Sequence, residues 1–267
     1  MMKASMKLCV FLFIISYISV SYTDLHDESR ENPYPFVVSI FTKNCINNSN
    51  YGTAFIAKHN GSLFLITAAH VALAMKDESV IQICNSDLSQ KTINLIDIVK
   101  DKTINWLVHE TADMAILEIP KIEADFEMHS KHAVSSEKFI VNKYGVNIGD
   151  PFLHVSYPLA DYLSFRNASV FTPYVFMAYS INYIMERPRI DSPNIISDQI
   201  SVSPCSYQGS SGGPLISLQC NAKDFQIVGI SHGNTSDLQF NHTFMSIFTP
   251  MYYFFDIVEG NKSVEFD

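Results

Sequence analysis

The sequence is poor in charged residues, which make up 17% of its 267 positions, and it has a single tryptophan. It has no long run of lysine and arginine, and its formal net charge is −9. Because nucleic acids are bound through clustered basic side chains, we expect no nucleic-acid partner. Paired Cys-x-x-Cys and His-Glu-x-x-His motifs are missing as well, so we expect no metal and no other cofactor.

Long hydrophobic runs are also missing, except at the amino terminus. Lys3 and Lys7 precede an apolar stretch over residues 8–20, which contains two serines. This layout is typical of a secretory signal. We expect residues 1–21 to be a signal peptide that is cleaved after Ser21, and the mature protein to be secreted without stable membrane association. The alternative is an uncleaved membrane anchor, for which the stretch is short.

Apolar and aromatic side chains are abundant. Hydrophobic residues make up 47% of the chain, with 19 phenylalanines and 13 tyrosines. Because aromatic and β-branched residues favour strands, this composition indicates a folded, β-rich protein. The chain is long enough for one large domain or two small ones.

The segment GSSGGP at residues 209–214 carries the first sign of catalysis. A glycine-rich turn presents a hydroxyl while neighbouring backbone N–H groups point the same way, which suits Ser211 as a nucleophile. Glycine and serine also crowd together in ordinary turns. The motif alone therefore leaves both interpretations open.

Two apolar runs carry candidate partners for this serine. His70 follows the run at residues 65–69, and Asp113 precedes the run at residues 114–117. Taken singly, His70 fits a core histidine and Asp113 a turn residue. A carboxylate at the mouth of a buried strand needs a partner for its charge, and His70 is a natural one.

The chain order His70, Asp113, Ser211 is that of the chymotrypsin-type proteases. The stretches TAAH (67–70), DMAIL (113–117) and GSSGGP (209–214) resemble those of the trypsin-like serine peptidases, closer to the branches that lack amino-terminal activation. The resemblance covers roughly residues 33–258. It implies an all-β fold of two packed six-stranded antiparallel β-barrels, with the active site between them and a short carboxy-terminal helix.

This fold divides the mature chain into an amino-terminal barrel at 32–120, a linker at 121–144, and a carboxy-terminal barrel with its terminal helix at 145–260. Helices are predicted over residues 69–75 and 251–259. First-barrel strands are predicted near 34–42, 51–58, 62–68, 79–84, 92–99 and 114–119.

The resemblance implies a serine endopeptidase that hydrolyses peptide bonds of protein or peptide substrates through an acyl-enzyme. His70 would be the general base, Asp113 would orient its imidazole, and Ser211 would be the nucleophile. The N–H groups of Gly209 and Ser211 would form the oxyanion hole. We expect a monomer. The alternative is a catalytically silent binding protein on the same scaffold, which the complete set of three residues disfavours.

One departure from the digestive branch concerns activation. That branch has an aspartate directly before the nucleophile, which pairs with a new amino terminus after cleavage at an Arg-Ile-Val-Gly-Gly-like site. Here Ser210 occupies that position, and residues 30–36 contain no such site. We predict activity without proteolytic activation.

The predicted substrate-binding residues are Cys205, Ser231, His232 and Gly233. The residue before the scissile bond is the P1 residue. Cys205 stands where the trypsin branch keeps an aspartate that binds a basic P1 residue, so the main support for a basic P1 preference is missing. His232 would favour an acidic or glutamine P1 residue, but a one-residue offset turns a strand side chain to the opposite face. A small or apolar P1 residue is the competing prediction.

Cysteines and glycosylation acceptors give further expectations that depend on secretion. Four cysteines of the mature chain allow three pairings, and we expect the disulfides Cys45–Cys84 and Cys205–Cys220. Asn-x-Ser/Thr acceptors are predicted to mark surface loops of a glycoprotein, and six occur: Asn47, Asn60, Asn167, Asn234, Asn241 and Asn261.

Overall fold

The computed structural model describes residues 31–42, 51–99, 103–120, 131–158, 172–189, 192–204, 206–218, 225–237, 242–260 and 263–266. Residues Asn32–Asp267 form one compact unit, and the segment Met1–Glu31 precedes it. The predicted signal peptide lies outside the described residues. Within the described part of the chain, no helix is long and apolar enough to span a membrane.

The first sheet holds most strands of the amino-terminal half. Its strands run in the order β16-β6-β7-β3-β2-β1-β4-β5, with β8 paired in parallel to β2. Their bounds are β1 Val37–Thr42, β2 Tyr51–His59, β3 Ser62–Thr67, β4 Ser79–Cys84, β5 Gln90–Asn94, β6 Trp106–His109, β7 Ala115–Ile119, β8 Val134–Ser135 and β16 Ser263–Phe266.

The hairpin of β2 and β3 delivers the histidine of the candidate triad. Its tip has positive φ angles at Asn60 (48°) and Gly61 (88°), which suit the twist of a two-residue hairpin turn. Helix α1, Ala69–Ala72, follows β3 directly and carries His70. The helix is shorter than the predicted 69–75, because residues 73 and 74 form a turn.

The second sheet is a closed barrel. Six antiparallel strands follow one another in the order β10-β9-β13-β14-β15-β12, β12 pairs back to β10, and β11 extends the sheet from β12. The bounds are β9 Pro151–Ser156, β10 Tyr174–Ser180, β11 Met185–Pro188, β12 Ile196–Ser203, β13 Pro214–Ser217, β14 Gln226–Asp237 and β15 His242–Pro250. The predicted all-β double-barrel class is confirmed. Helix α2, Tyr252–Val258, lies where the terminal helix was predicted.

Three short strands of the first sheet were not predicted: β6, β8 and β16. Strand β8 lies within the predicted linker, where Val134 and Phe139 are buried, so this part of the linker packs against the protein. Strand β16 follows helix α2 and pairs with β6, beyond the predicted end of the fold at residue 260. The first sheet therefore has nine strands, not six.

Three apolar clusters form the core. One fills the first barrel and a second fills the closed barrel. The third joins the two, because it combines Phe55 of β2, Val155 of β9 and Ile216 of β13 with Phe254 of helix α2. This shared cluster packs the two barrels against each other.

The predicted disulfide between Cys45 and Cys84 is wrong at Cys84, because the thiol of this residue is free and buried. Burial raises the pKa of this thiol. The structure thus does not contain the predicted Cys45–Cys84 disulfide at this residue. Cys45, Cys205 and Cys220 lie outside the described residues.

Candidate active site

Ser211 lies in the turn that leads into β13. Gly209 and Gly212 on either side of it have φ angles of 89° and 86°, a region that favours glycine. A Cβ atom at Gly212 would lie 2.0 Å from the carbonyl oxygen of Thr53. The turn can therefore pass this close to the first barrel only because residue 212 is glycine.

Thr53 of β2 anchors this turn to the first barrel. Its N–H donates to the Ser211 carbonyl (2.8 Å), and its Oγ1 donates to the Gly209 carbonyl (3.0 Å). Thr67 Oγ1 in turn donates to the Thr53 carbonyl (2.7 Å). Thr53 was not predicted as a site residue, because a threonine in an apolar strand has no distinguishing signal.

The backbone donors of the turn divide into two groups. The N–H groups of Ser210, Gly212 and Gly213 donate to the carbonyls of Tyr207, Ser231 and Ser210, respectively. Within the described residues, those of Gly209 and Ser211 donate to no other group, and both residues line the cleft. These two N–H groups are the ones predicted for the oxyanion hole.

His70 and Asp113 meet as the sequence predicted. The Nδ1–H of His70 donates to Asp113 Oδ2 (2.8 Å), and the His70 backbone N–H donates to Asp113 Oδ1 (3.0 Å). Two bonds to one carboxylate fix the ring and its tautomer, with Nε2 left as the basic nitrogen. The His70 side chain is 38% exposed, whereas that of Asp113 is fully buried.

Asp113 is ionised despite its burial. Burial alone would raise the pKa of its carboxyl, but the hydrogen bond from the His70 ring, the charges of His70 and His232 and the His70 backbone bond outweigh it. Together they lower the pKa of Asp113 to about 2. The carboxylate is therefore charged over the whole neutral and mildly acidic range.

Two further basic side chains contact this carboxylate. Nε2 of His232 lies 3.5 Å from Asp113 Oδ2, and Nη2 of Arg189 lies 3.6 Å from Asp113 Oδ1. Both side chains are almost completely buried. Neither contact was predicted: His232 was assigned to the substrate pocket, and no role was assigned to Arg189.

A bulge in β14 explains the position of His232. The pairing of β14 with β15 shifts by one residue between Ser231 and Gly233, which leaves His232 unpaired in the ladder. Its buried ring packs near His70, with ring centroids 6.0 Å apart. This burial removes the support for a role of His232 in the substrate pocket.

Of the other three predicted pocket residues, one lines the cleft, one is buried and one is not described. Ser231 is buried, and its backbone pairs with Gly212 and Gly213, so it supports the turn that carries Ser211. Gly233 lines the cleft. Cys205 lies outside the described residues.

Ser211 faces a cleft of about 430 Å³ that His70 also lines. In this structure the Ser211 hydroxyl donates to the backbone carbonyl of His232 (3.2 Å). The remaining walls come from both barrels and from the segment before Ser211: Tyr51, Val71, Ala74, Met75, Ser206, Tyr207, Gln208, Gly209, Gly233 and Asn234.

His70, Asp113 and His232 also satisfy a distance test for metal ligands, since one ligand atom of each lies within 4.8 Å of the other two. The chemistry of the donor set does not fit a cation. The Nδ1 of His70 is committed to its bond with Asp113, and the positive guanidinium of Arg189 lies beside the same carboxylate. The arrangement suits charge stabilisation and proton transfer instead.

Comparison with solved structures identifies the fold. The protease domain of MamO from Magnetospirillum magneticum is similar with a TM-score of 0.56 and 13% identity, over 84% of this chain and 96% of that one. The active form of the protease Rv3671c from M. tuberculosis gives 0.51 and 17%, over 86% and 80%. The chain has the chymotrypsin-type fold of serine proteases.

The HtrA-type protease AlgW, solved with a decapeptide, is similar as well, with a TM-score of 0.52 and 17% identity over 87% of this chain and 66% of that one. No protein-family model and no curated sequence matches the chain.

The low pKa of Asp113 predicts a specific acid sensitivity. Since an unfolded aspartate has a pKa of about 3.9, folding favours the charged form. Its contribution is complete above about pH 4 and is lost as the pH falls through about 2. At roughly 1.4 kcal/mol per pKa unit it amounts to about 3 kcal/mol, of which about 2 kcal/mol is lost between pH 5 and pH 2.5. Urea unfolding at pH 5 and pH 2.5 measures it.

We expect Asp113→Asn to lose about 2 kcal/mol less than wild type between these two pH values. Asp77→Asn, which neutralises an exposed carboxylate, is the control and should retain the wild-type loss. Equal losses for wild type and Asp113→Asn would contradict the assignment of a buried, charged Asp113.

Proposed function

We propose that this protein is a serine endopeptidase that hydrolyses peptide bonds through an acyl-enzyme. The observation that carries the proposal is the geometry of His70 on a buried, ionised Asp113, in one cleft with Ser211. The similar solved structures are proteases, which supports the same class of chemistry.

In this mechanism the Ser211 side chain rotates from the His232 carbonyl toward Nε2 of His70. His70 takes the hydroxyl proton as Oγ attacks the scissile carbonyl, and Asp113 stabilises the imidazolium. The N–H groups of Gly209 and Ser211 would then bind the developing oxyanion, where losing one donor typically costs about 10²- to 10³-fold in rate. His70 returns the proton to the leaving amine, and water releases the acyl group.

We further propose that the protein needs no activating cleavage. Ser210, at the position of the aspartate of the digestive branch, is completely buried. It accepts a hydrogen bond from Ser156 Oγ (3.0 Å), a neutral pair that requires no incoming amino terminus. His154 lies beside it, and burial lowers the pKa of this ring to about 3, although a bond with the Ser210 backbone works in the opposite direction. The support of the turn is therefore uncharged.

Secretion and glycosylation remain proposals of the same kind. Asn60 is exposed at the tip of the β2–β3 hairpin, which suits a glycan acceptor. Asn234 does not suit one, because its Nδ2 donates to the Ser206 carbonyl (2.8 Å) in the cleft. The other four acceptors lie outside the described residues.

A small, uncharged P1 residue is the substrate preference that the cleft favours. The side chain of Asn234 spans from β14 to Ser206, in the segment before the nucleophile. Its Oδ1 accepts from the hydroxyls of Ser206 (3.1 Å) and Ser246 (2.7 Å). These groups satisfy one another and carry no charge, so they offer nothing to a charged P1 side chain and leave little depth for a large one.

The test of the function is hydrolysis of a peptide library by the wild type and by Ser211→Ala, with no cleavage of the chain other than removal of the predicted signal peptide. We expect the wild type to cut and the variant to lose at least about 10⁴-fold in kcat/KM. Equal rates for both proteins would point to a contaminating peptidase and contradict the proposal.

A catalytically silent binding protein is the second candidate. The bond of the Ser211 hydroxyl to the His232 carbonyl favours it, because a nucleophile that remains there is not activated. In that case the wild type binds library peptides without cutting them, and Ser211→Ala binds them equally well.

The P1 preference has its own prediction. We expect wild type to prefer alanine over phenylalanine at P1, and Asn234→Ala to shift the ratio of the two kcat/KM values toward phenylalanine by roughly tenfold or more, because the amide no longer occupies the space. The control is Asn94→Ala, at an exposed asparagine of β5. An unchanged ratio in Asn234→Ala would contradict the proposal that the Asn234 side chain limits the size of the P1 residue.

A further inference from the structure

Arg189 is a buried arginine that the mechanism above does not use. It follows β11 directly, and its backbone N–H donates to the Ile195 carbonyl (2.9 Å), which fixes its position in the second barrel. Only 8% of the residue is exposed. An arginine is seldom buried to this extent unless its charge is paired.

The guanidinium reaches across to the first barrel. Nη2 lies 3.6 Å from Asp113 Oδ1, and Nη1 donates to the Thr111 carbonyl (3.4 Å) in the loop between β6 and β7. The same loop carries the catalytic carboxylate. Arg189 therefore contacts both Asp113 and the backbone next to it, from the opposite barrel.

The position of the contact on the carboxylate matters. Oδ1 already accepts the backbone N–H of His70, and Oδ2 accepts its ring Nδ1–H. Arg189 adds a permanent positive charge at Oδ1, beside the bond that aligns the carboxylate with the histidine. His232 lies at Oδ2 and also packs near the His70 ring. Among the described residues, the titratable and charged groups that face the His70–Asp113 pair are therefore His232 and Arg189.

We propose that Arg189 is a positioning residue for the catalytic histidine: it fixes the Asp113 carboxylate from the second barrel and partly neutralises the charge that stabilises a protonated His70. This proposal rests on the proposed triad and deepens it. Nothing in the roles of nucleophile, base and oxyanion donors requires an arginine on the aspartate.

The sign of the electrostatic effect follows from the charges. A protonated His70 is stabilised by the negative charge of Asp113 and opposed by a nearby cation. Because Arg189 is charged at every accessible pH, it lowers the proton affinity of His70 and keeps the ring available as a base in more acidic solution. Removing the guanidinium therefore raises the pH at which His70 loses its proton.

The experiment is a histidine NMR titration in the Ser211→Ala protein, which cannot turn over substrate. We expect Arg189→Met to raise the midpoint of the His70 ring signals by roughly one pH unit. Arg187→Met is the matched control, since it removes the same charge two residues away, where the side chain contacts Met185. Its midpoint should equal that of Ser211→Ala alone.

A structural role alone would destabilise the protein without moving this midpoint. If Arg189→Met does not fold, Arg189→Lys and Arg189→Gln replace it in the Ser211→Ala background. The His70 midpoint of the lysine variant should lie close to that of Ser211→Ala alone, and the midpoint of the glutamine variant should lie at higher pH. Equal midpoints for the lysine and glutamine variants, or a folded Arg189→Met with an unshifted midpoint, overturn the proposal.

Failure of the Arg189 proposal can be distinguished from failure of the proposed peptidase function. The titration reads the proton on His70 directly and needs no catalysis, whereas a wild type that cuts no peptide contradicts the peptidase and leaves the titration readable. In an active wild type, the acidic limb of the kcat/KM profile should move with the NMR midpoint, to higher pH in Arg189→Met and not in Arg187→Met.

Discussion

The buried negative charge of Asp113 is the constraint on which the rest of the site depends. A carboxylate without solvent is costly unless charge and hydrogen bonds compensate it, and here the compensation comes from both barrels. His70 belongs to the first barrel, whereas Arg189 and His232 belong to the second. The carboxylate of the proposed triad thus couples the two halves of the fold.

The turn that carries Ser211, at residues 209–213, is held by a second set of contacts between the barrels. Thr53 on β2 binds the backbone of Gly209 and Ser211, and the close approach is possible because Gly212 has no side chain. Behind the turn, Ser156 Oγ donates to Ser210 Oγ, and this pair of side chains is neutral. The proposal that the protein needs no activating cleavage rests on this pair.

The sequence allowed the double-barrel class and the His70–Asp113 contact to be predicted, because glycine-rich turns, apolar strands and chain order are local features. Arg189 could not be predicted: it lies far from Asp113 in sequence, in a stretch without periodicity. The position of His232 depends on a bulge that only the pairing of β14 with β15 reveals. Strands β8 and β16 have two and four residues, too few for a recognisable pattern.

The central claim is that the fold assembles an activated serine at position 211. Treatment of the folded, uncleaved protein with a fluorophosphonate, which reacts with activated serines, tests it most directly when mass spectrometry locates the adduct. We expect one adduct, on Ser211, and none in Ser211→Ala or in wild type unfolded with urea. A folded wild type that carries no adduct, or one on another serine, would contradict the account.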